Sequence, residues 1–484
     1  MSDDIGILSF GAYLPRLRLQ RASIAAANSW FAPAQRGLAR GERAMANWDE
    51  DSITMAVEAA RDCLAGVDRA RVGQLMLAST THPYDDRQNA GIVANALNLG
   101  SALAALDVTG SQRAGTSALA TALAAAGGRD ILVAAGEHRL AKAASPQEMH
   151  YGDGAAALLV GSGRPIARLL GAHSETVDFV SQYRAGDAAH DYVWEERWIR
   201  EEGYLKIVPR AIAALVKATG ASPESVTHLC MPCTLARVVP VIAKLAGIAE
   251  GAVRDNLAAT CGDTGAAHPL VMLAHALEEA KPGDRILLAA FGQGCDALLF
   301  EVTGAIAARP ASGGVKASLA RRKPEANYMK FLAFNDHLAL DRGMRSEGDK
   351  GTPLSTLYRN RDMVTGLVGG RCRACGTAQF PRARYCVNPA CNALDSQDDQ
   401  PFSGIRASVM SYTADVLTYS ADPPAYYGMI RFEGGGRMMA DFTDVDDGKV
   451  EVGMPMRMMF RIKEHDRARG FVRYFWKAAP AAAA

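Results

Sequence analysis

The 484-residue sequence has no uninterrupted apolar run near the roughly 18 residues that a membrane-spanning helix requires. No spanning segment is therefore expected. It also lacks an excess of either charge, since 53 basic against 52 acidic residues leave a net charge of +1. That is too little for a general field that would hold a nucleic acid or an anionic membrane, so neither partner is expected and any polyanion must be met by a local patch. The opening MSDDIGILSF is acidic where a signal peptide would be basic, which predicts a cytoplasmic location. A disulfide framework is missing too: the nine cysteines are odd in number, four crowd into residues 372–391 and the rest are scattered. With 49% hydrophobic and 22% charged residues the chain is neither disordered nor a coiled coil, and its length suggests about three domains.

Alanine and glycine dominate residues 1–305, where apolar runs of strand length alternate with longer helical stretches, the pattern of α/β layers. Strands are predicted at 74–79, 131–135, 155–160, 228–231, 286–290 and 297–302. They fall into two sets. VGQLMLAST leads to TGSQRAGTSALATALAAAGGRDILVAAGE, and VTHLCMPCT leads to ATCGDTGAAHPLVMLAHALEEAKPGDRILLAAFG. Each reads as a strand, a glycine-rich turn opening a long helix, and a second strand, which predicts a duplication of about 150 residues; two unrelated βαβ units are the alternative. Residues 308–325 are rich in Pro, Gly, Ser and basic residues and read as a surface linker. Five β-rich runs between 404 and 476 predict a small barrel, and the terminal PAAAA is expected to fray.

Cys372 and Cys375 form one knuckle, and Cys386 and Cys391 form another. Four thiolates at this spacing suit a tetrahedral zinc with no position open to water, hence a structural site; free thiols or an iron–sulfur cluster are the alternatives. Arg371, Arg373, Arg382 and Arg384 make the ribbon locally cationic. Such a face would suit a nucleic acid, the phosphates of a nucleotide-containing carrier, or plain solvent, and the acidic residues that follow break up any long phosphate-tracking stripe.

ILSFGAYLPRLRL, LMLAST, DVTGSQRAGTSAL and GDGAAALLVG resemble the thiolase superfamily, in its branch of HMG-CoA synthase and β-ketoacyl synthase III. The tail from about residue 330 is similar to the zinc-ribbon and OB-fold proteins that accompany acyl-CoA enzymes of that fold. The resemblance implies a duplicated thiolase-like fold, layered α-β-α-β-α, followed by a zinc ribbon and an OB-fold barrel. The expected boundaries are 1–165 and 166–307 for the two halves, 308–370 for a linker and helical connection, 371–400 for the ribbon and 401–484 for the barrel. It also implies a coenzyme A thioester as substrate, structural zinc and, by analogy, a homodimer.

In that family an acyl-carrying cysteine works with a histidine and an asparagine or second histidine beside oxyanion-holding amides. Here the nucleophile's position, five residues after Asp107, holds Gln112, between Ser111 and Arg113. The histidine's position falls near Cys230, the asparagine's on Asp263, and that of a general-base glutamate near Thr80, with His82 two residues on. These changes suggest carbon–carbon chemistry without an acyl-enzyme, such as retro-aldol cleavage, in which a base takes a β-hydroxyl proton and an oxyanion hole holds the enolate. Asp263 and His268 are expected to handle protons, unless they are a helix cap and a packed side chain; Gln112 is expected to hold the thioester carbonyl. Gly292 and Gly294 resemble the family's late glycine turn, Tyr151 a pocket turn, and Tyr192 and Trp194 an acyl-pocket segment. Arg113 joins these as a substrate contact. An acyltransferase with a displaced nucleophile, Ser111 or Cys230, and a non-catalytic acyl-CoA-binding scaffold are the rival readings.

Overall fold

The apolar runs of the first 305 residues become nine strands, seen in a computed structural model that describes residues 4–308, 313–347, 351 and 353–481. In chain order they are β1 (Asp4–Tyr13), β2 (Val72–Ala78), β3 (Ala104–Val108), β4 (Asp130–Glu137), β5 (Gly154–Gly163), β6 (Ala167–Thr176), β7 (His228–Cys230), β8 (Arg285–Phe291) and β9 (Gly294–Val302). Their spatial order is β7-β8-β9-β6-β1-β5-β4-β2-β3. The duplication is explicit in the pairing. β2/β4 and β7/β8 are parallel, β4/β5 and β8/β9 antiparallel, and β5/β1 and β9/β6 antiparallel. Even the outermost strand has a counterpart, because β3 runs parallel to β2 and a lone parallel bridge joins Leu229 to Val253. Within the sheet the strands of the two halves pair through Gly6–Arg168 and Ile7–Ala167.

Four helices supply the remaining layers: α1 (Ser52–Cys63), α2 (Ala114–Ala125), α3 (Leu205–Thr219) and α4 (His268–Leu277). α1 starts at a capping box in which the Asp51 carboxylate accepts from Thr54 N at 2.8 Å and the Thr54 hydroxyl accepts from Asp51 N at 2.7 Å. It covers β1, β4 and β5, while α3 covers β6, β8 and β9. The central helices α2 and α4 share one apolar core through Ala118, Leu119, Leu270 and Leu273. α2 contains no charged residue, as its burial against strands of both halves demands. Gly115 lets it approach the second half closely, since a Cβ there would stand 2.3 Å from the Ala266 carbonyl oxygen. The order of layers is α-β-α-β-α.

The chain divides into two compact units, the first ending at Asn335 and the second comprising Trp48–Glu50, Ile92–Leu99 and the residues from Asp336 onward. Much of the stretch read as a linker is structured within the first unit. Gly314–Ala320 is helical, its opening amides bound by Asp62 and Glu278, and Lys323–Glu325 pairs in parallel with Leu17–Gln20. Composition missed this because the binding carboxylates lie far away in sequence. Residues 309–312 of that stretch, and 482–484 of the terminal PAAAA, lie outside the described residues.

In the second unit, Val368–Cys372, Ala378–Gln379 and Gln397–Pro401 form the ribbon's small sheet. The five predicted runs become β10 (Ala407–Asp415), β11 (Ala425–Phe432), β12 (Arg437–Asp441), β13 (Pro455–Asp466) and β14 (Phe471–Pro480). Their order is β12-β11-β10-β13-β14, and a Phe442–Ala478 bridge closes the sheet on itself around Phe432, Phe460 and Trp476. Among the described residues no helix is long and apolar enough to cross a membrane.

Candidate active site

Parallel strands leave a crevice beyond their carboxyl ends, where loops bring together side chains that are distant in sequence. Here β2, β3 and β4 lie side by side and end in Thr80–His82, Ser111–Arg113 and Glu137–Arg139. Arg139, buried at 2% exposure, is the centre of the cluster. It donates to Gln112 Oε1 at 3.2 Å and to the Asp263 carbonyl at 2.7 Å, and it pairs with Asp263 Oδ2 at 3.1 Å. Its guanidinium carbon lies 3.7 Å from the centre of the Tyr151 ring. Burial disfavours its charge, but Asp263, Tyr151, Glu137 and Asp191 more than offset this and raise its pKa. Because Gln112 Oε1 accepts from Arg139, the amide nitrogen of Gln112 is left as its donor end.

Burial pushes the Asp263 carboxyl upward, yet Arg139 and His268 together with the hydrogen bonds from Arg139 and Gly265 N hold it below the usual aspartate range. It is ionised at neutral pH. Burial likewise raises the Tyr151 phenol, keeping it protonated, and it donates to Asp191 Oδ2 at 2.9 Å. Arg184 binds Asp191 Oδ1 at 2.7 Å and also reaches the Thr80 carbonyl. Glu137 is caged by Thr80 N at 3.2 Å, the Thr80 and Thr81 hydroxyls at 3.1 and 2.5 Å, and Ala266 N at 3.1 Å. One carboxylate thus ties the loop after β2 to the turn before α4.

Several expected site residues take other roles. His268 accepts from Thr264 N at Nδ1, 3.0 Å away, and donates from Nε2 to the Asn256 carbonyl at 2.8 Å. With both nitrogens bonded to backbone and its pKa lowered by burial, it is a strut of the α4 turn and not the proton carrier predicted for it. Arg113 donates to the Gly292 carbonyl at 2.9 Å and to the buried Asp296 at 2.6 Å, so it clamps the glycine turn and is not free for substrate. Ser111 gives its proton to the same carbonyl at 2.9 Å and not to a base.

Gly292 lies against Gln112, and a Cβ there would stand 3.4 Å from that of Gln112. Its amide, however, donates to the Gly294 carbonyl at 3.0 Å. Gly294 has φ +121°, and a Cβ would stand 1.9 Å from the Glu175 carbonyl oxygen, so the position requires glycine. Cys230 is fully buried beside the Met272 carbonyl, and burial pushes its thiol up to about 12, which makes it a poor nucleophile. Tyr192 and Trp194 stand half exposed on a hairpin with Tyr183, outside the Arg139 cluster. Sequence reasoning missed Arg139 and Glu137. The available signal was the run Glu-His-Arg directly after the buried strand ILVAAG, since charges there face the crevice.

The second candidate site is the ribbon. The four Sγ atoms of Cys372, Cys375, Cys386 and Cys391 lie within 4.8 Å of one another, with opposite pairs at 3.9 and 3.5 Å. Thiolates around a tetrahedral zinc at about 2.3 Å stand about 3.8 Å apart, so the four fit the ion. Ser396 and Thr377 place hydroxyls 3.2 Å from Cys372 and Cys375, the kind of support that orients metal ligands. The cationic face read from the ribbon is offset by the acids that follow it. Arg373 pairs with Asp398 at 2.7 Å, Arg384 with Asp395 at 2.9 Å, and Arg382 with Asp399.

Comparison with known proteins agrees with this architecture. Residues 216–301 match the family model of the 3-oxoacyl-[acyl-carrier-protein] synthase III C terminal. Residues 366–395 match the ChsH2 rubredoxin-like zinc ribbon domain, and 399–461 the ChsH2 C-terminal OB-fold domain. The hydroxymethylglutaryl-CoA synthase of Methanosarcina mazei is 30% identical over 310 residues, covering 62% of this chain and 88% of the relative. That of Archaeoglobus fulgidus is 30% identical over 346 residues, covering 68% and 97%. Among solved structures, MvaS in complex with 3-hydroxy-3-methylglutaryl coenzyme A superposes with a TM-score of 0.59 at 21% identity, covering 73% of this chain and 95% of that one. An HMG-CoA synthase complexed with CoA gives 0.60 at 18% identity, covering 72% and 93%.

Proposed function

The chain belongs to the hydroxymethylglutaryl-CoA synthase family, and on that premise we propose that it forms or breaks a carbon–carbon bond in an acyl-CoA thioester by enolate chemistry without an acyl-enzyme, most directly by retro-aldol cleavage. One observation carries this reading: the helix-start position that the nucleophile would occupy holds Gln112, bound to Arg139. The Gln112 amide and the guanidinium present donors to a thioester oxygen, whose charge grows as it becomes an enolate. Asp263 orients Arg139 and, with its side chain 24% exposed against 5% for Asp191, is the more accessible carboxylate of the cluster. Being held ionised by Arg139, it is a weak proton acceptor.

The test is incubation with a panel of 3-hydroxyacyl-CoA thioesters while acyl-CoA and the released aldehyde or ketone are measured. Matched release of both products is expected; no turnover on any thioester, with CoA binding retained, sinks the lyase reading. A second reading, an acyl-CoA-binding scaffold, is favoured by the mutual pairing of Arg139, Asp263 and Gln112, and that same outcome would select it. The reading also includes a homodimer and a cytoplasmic location, checked by light scattering and by cell fractionation. Zinc in the ribbon would be structural, held by its four thiolates, with no part in the reaction.

A further inference from the structure

Retro-aldol cleavage needs a base, and the two residues expected to supply one are committed elsewhere: His268 to backbone at both nitrogens, Asp263 to Arg139. One imidazole at the same strand ends is not so committed. His82 follows β2, and its ring nitrogens are shut off from solvent without a side-chain hydrogen-bond partner among the described residues. A buried polar atom left so is a standing cost to the fold, and where such atoms persist beside a crevice they mark where another molecule's polar group belongs.

The loop that carries His82 is fixed in the site. Glu137 binds Thr80 and Thr81, and Arg184 links the Thr80 carbonyl to Asp191 and so to Tyr151. The charged groups acting on His82 are Asp107 on β3 and Glu137 on β4, and a hydrogen bond with the Val108 backbone adds a smaller upward influence. Asp107 is itself held by the Asn89 and Ala90 amides, each at 2.7 Å. Burial outweighs these influences and lowers the basicity of the imidazole, which is therefore neutral at pH 7.

We propose that His82 is the catalytic base, taking the β-hydroxyl proton of a bound 3-hydroxyacyl thioester, an assignment that rests on the cleavage reading above. The O–H bond breaks as its proton passes to a ring nitrogen, and the oxygen's electron pair closes a new carbonyl. The Cα–Cβ bond breaks, and its pair becomes the thioester enolate held by Gln112 and Arg139. The proton then returns from His82 to the α-carbon, so that an acyl-CoA and an aldehyde or ketone leave with atoms and charge balanced.

Steady-state kinetics on the full chain, with 3-hydroxy-3-methylglutaryl-CoA and the same 3-hydroxyacyl-CoA panel, compare the parent with His82→Gln and His82→Ala, folding being checked by circular dichroism. The expected result is a kcat lower by about 100-fold or more, with KM within a few-fold. Parent kcat/KM should fall as pH drops through a limb below the ordinary imidazole value of about 6.5, a limb that His82→Gln lacks. Added imidazole should restore part of the His82→Ala rate. A parent that cleaves its thioester while His82→Gln matches it in kcat and pH limb overturns the assignment and leaves the cleavage reading standing. A parent that cleaves nothing removes both.

Discussion

The nine cysteines form two populations that share a side chain and differ in everything else. In the ribbon, four Sγ atoms converge to within 4.8 Å, with hydroxyls beside two of them. In the first unit, Cys63, Cys230, Cys233, Cys261 and Cys295 are dispersed and buried. Burial pushes Cys230, Cys233 and Cys261 up to about 12, and moves Cys295 upward as well. A thiol becomes a ligand or nucleophile only as the thiolate, which requires a positive neighbour, a metal or an adjacent base. The ribbon supplies the geometry for a metal. The core supplies only desolvation, and the cluster at the strand ends is built from an amide, a guanidinium and carboxylates.

The largest effect should come from breaking the ribbon population. Structural zinc contributes about 10–16 kcal/mol of apparent binding energy in small zinc domains. Chelation, or Cys375→Ala, is therefore expected to abolish hydrogen-exchange protection over residues 368–401; retained protection, or purified protein without zinc by elemental analysis, would contradict the site. Next, Arg139→Met removes the cluster's centre. Cleavage should fall by about 100- to 1,000-fold, the range for a lost oxyanion donor.

Arg139→Met should also change how stability responds to pH. Asp263, whose folded pKa is depressed, contributes stability above its unfolded value of about 3.9, lost as pH falls through the lower folded value. In the variant that acid-side loss should shrink, as thermal melts at pH 7 and pH 3 would reveal. Gln112→Cys sharpens the comparison further, because a thiol restored at that place would have Cys230 where a histidine is needed and His268 bonded to backbone. Intact mass after acyl-CoA exposure is expected to show no adduct on that variant. The smallest effect belongs to Cys230→Ala: a loss of about 1 kcal/mol in denaturant unfolding, with kcat unchanged.

Much of this was legible in the sequence where local pattern and physical cause coincide. The strands at 131–135 and 286–290 were visible as continuous apolar runs because they are buried on both faces, and the barrel strands as short runs between turn signals. The ribbon was legible because metal geometry constrains spacing directly. β3 was not found: Ala104–Val108 is the outermost strand and half exposed, so its run is short and broken by Asp107. The site was legible only as a set of replaced positions. That Gln112, Arg139 and Asp263 are one cluster depends on contacts across 27 to 124 residues, which no local pattern records. His268 looked like a base for the same reason, since its Asn256 partner lies twelve residues away with no motif to announce it.

The central claim, turnover without an acyl-enzyme, is tested most directly by intact-protein mass spectrometry during cleavage of a 3-hydroxyacyl-CoA, with products quantified in the same samples. The account predicts release of acyl-CoA and a carbonyl product while the protein mass stays that of the free chain. An acyl adduct that forms and decays with turnover, and is lost in Ser111→Ala or Cys230→Ala, would contradict it.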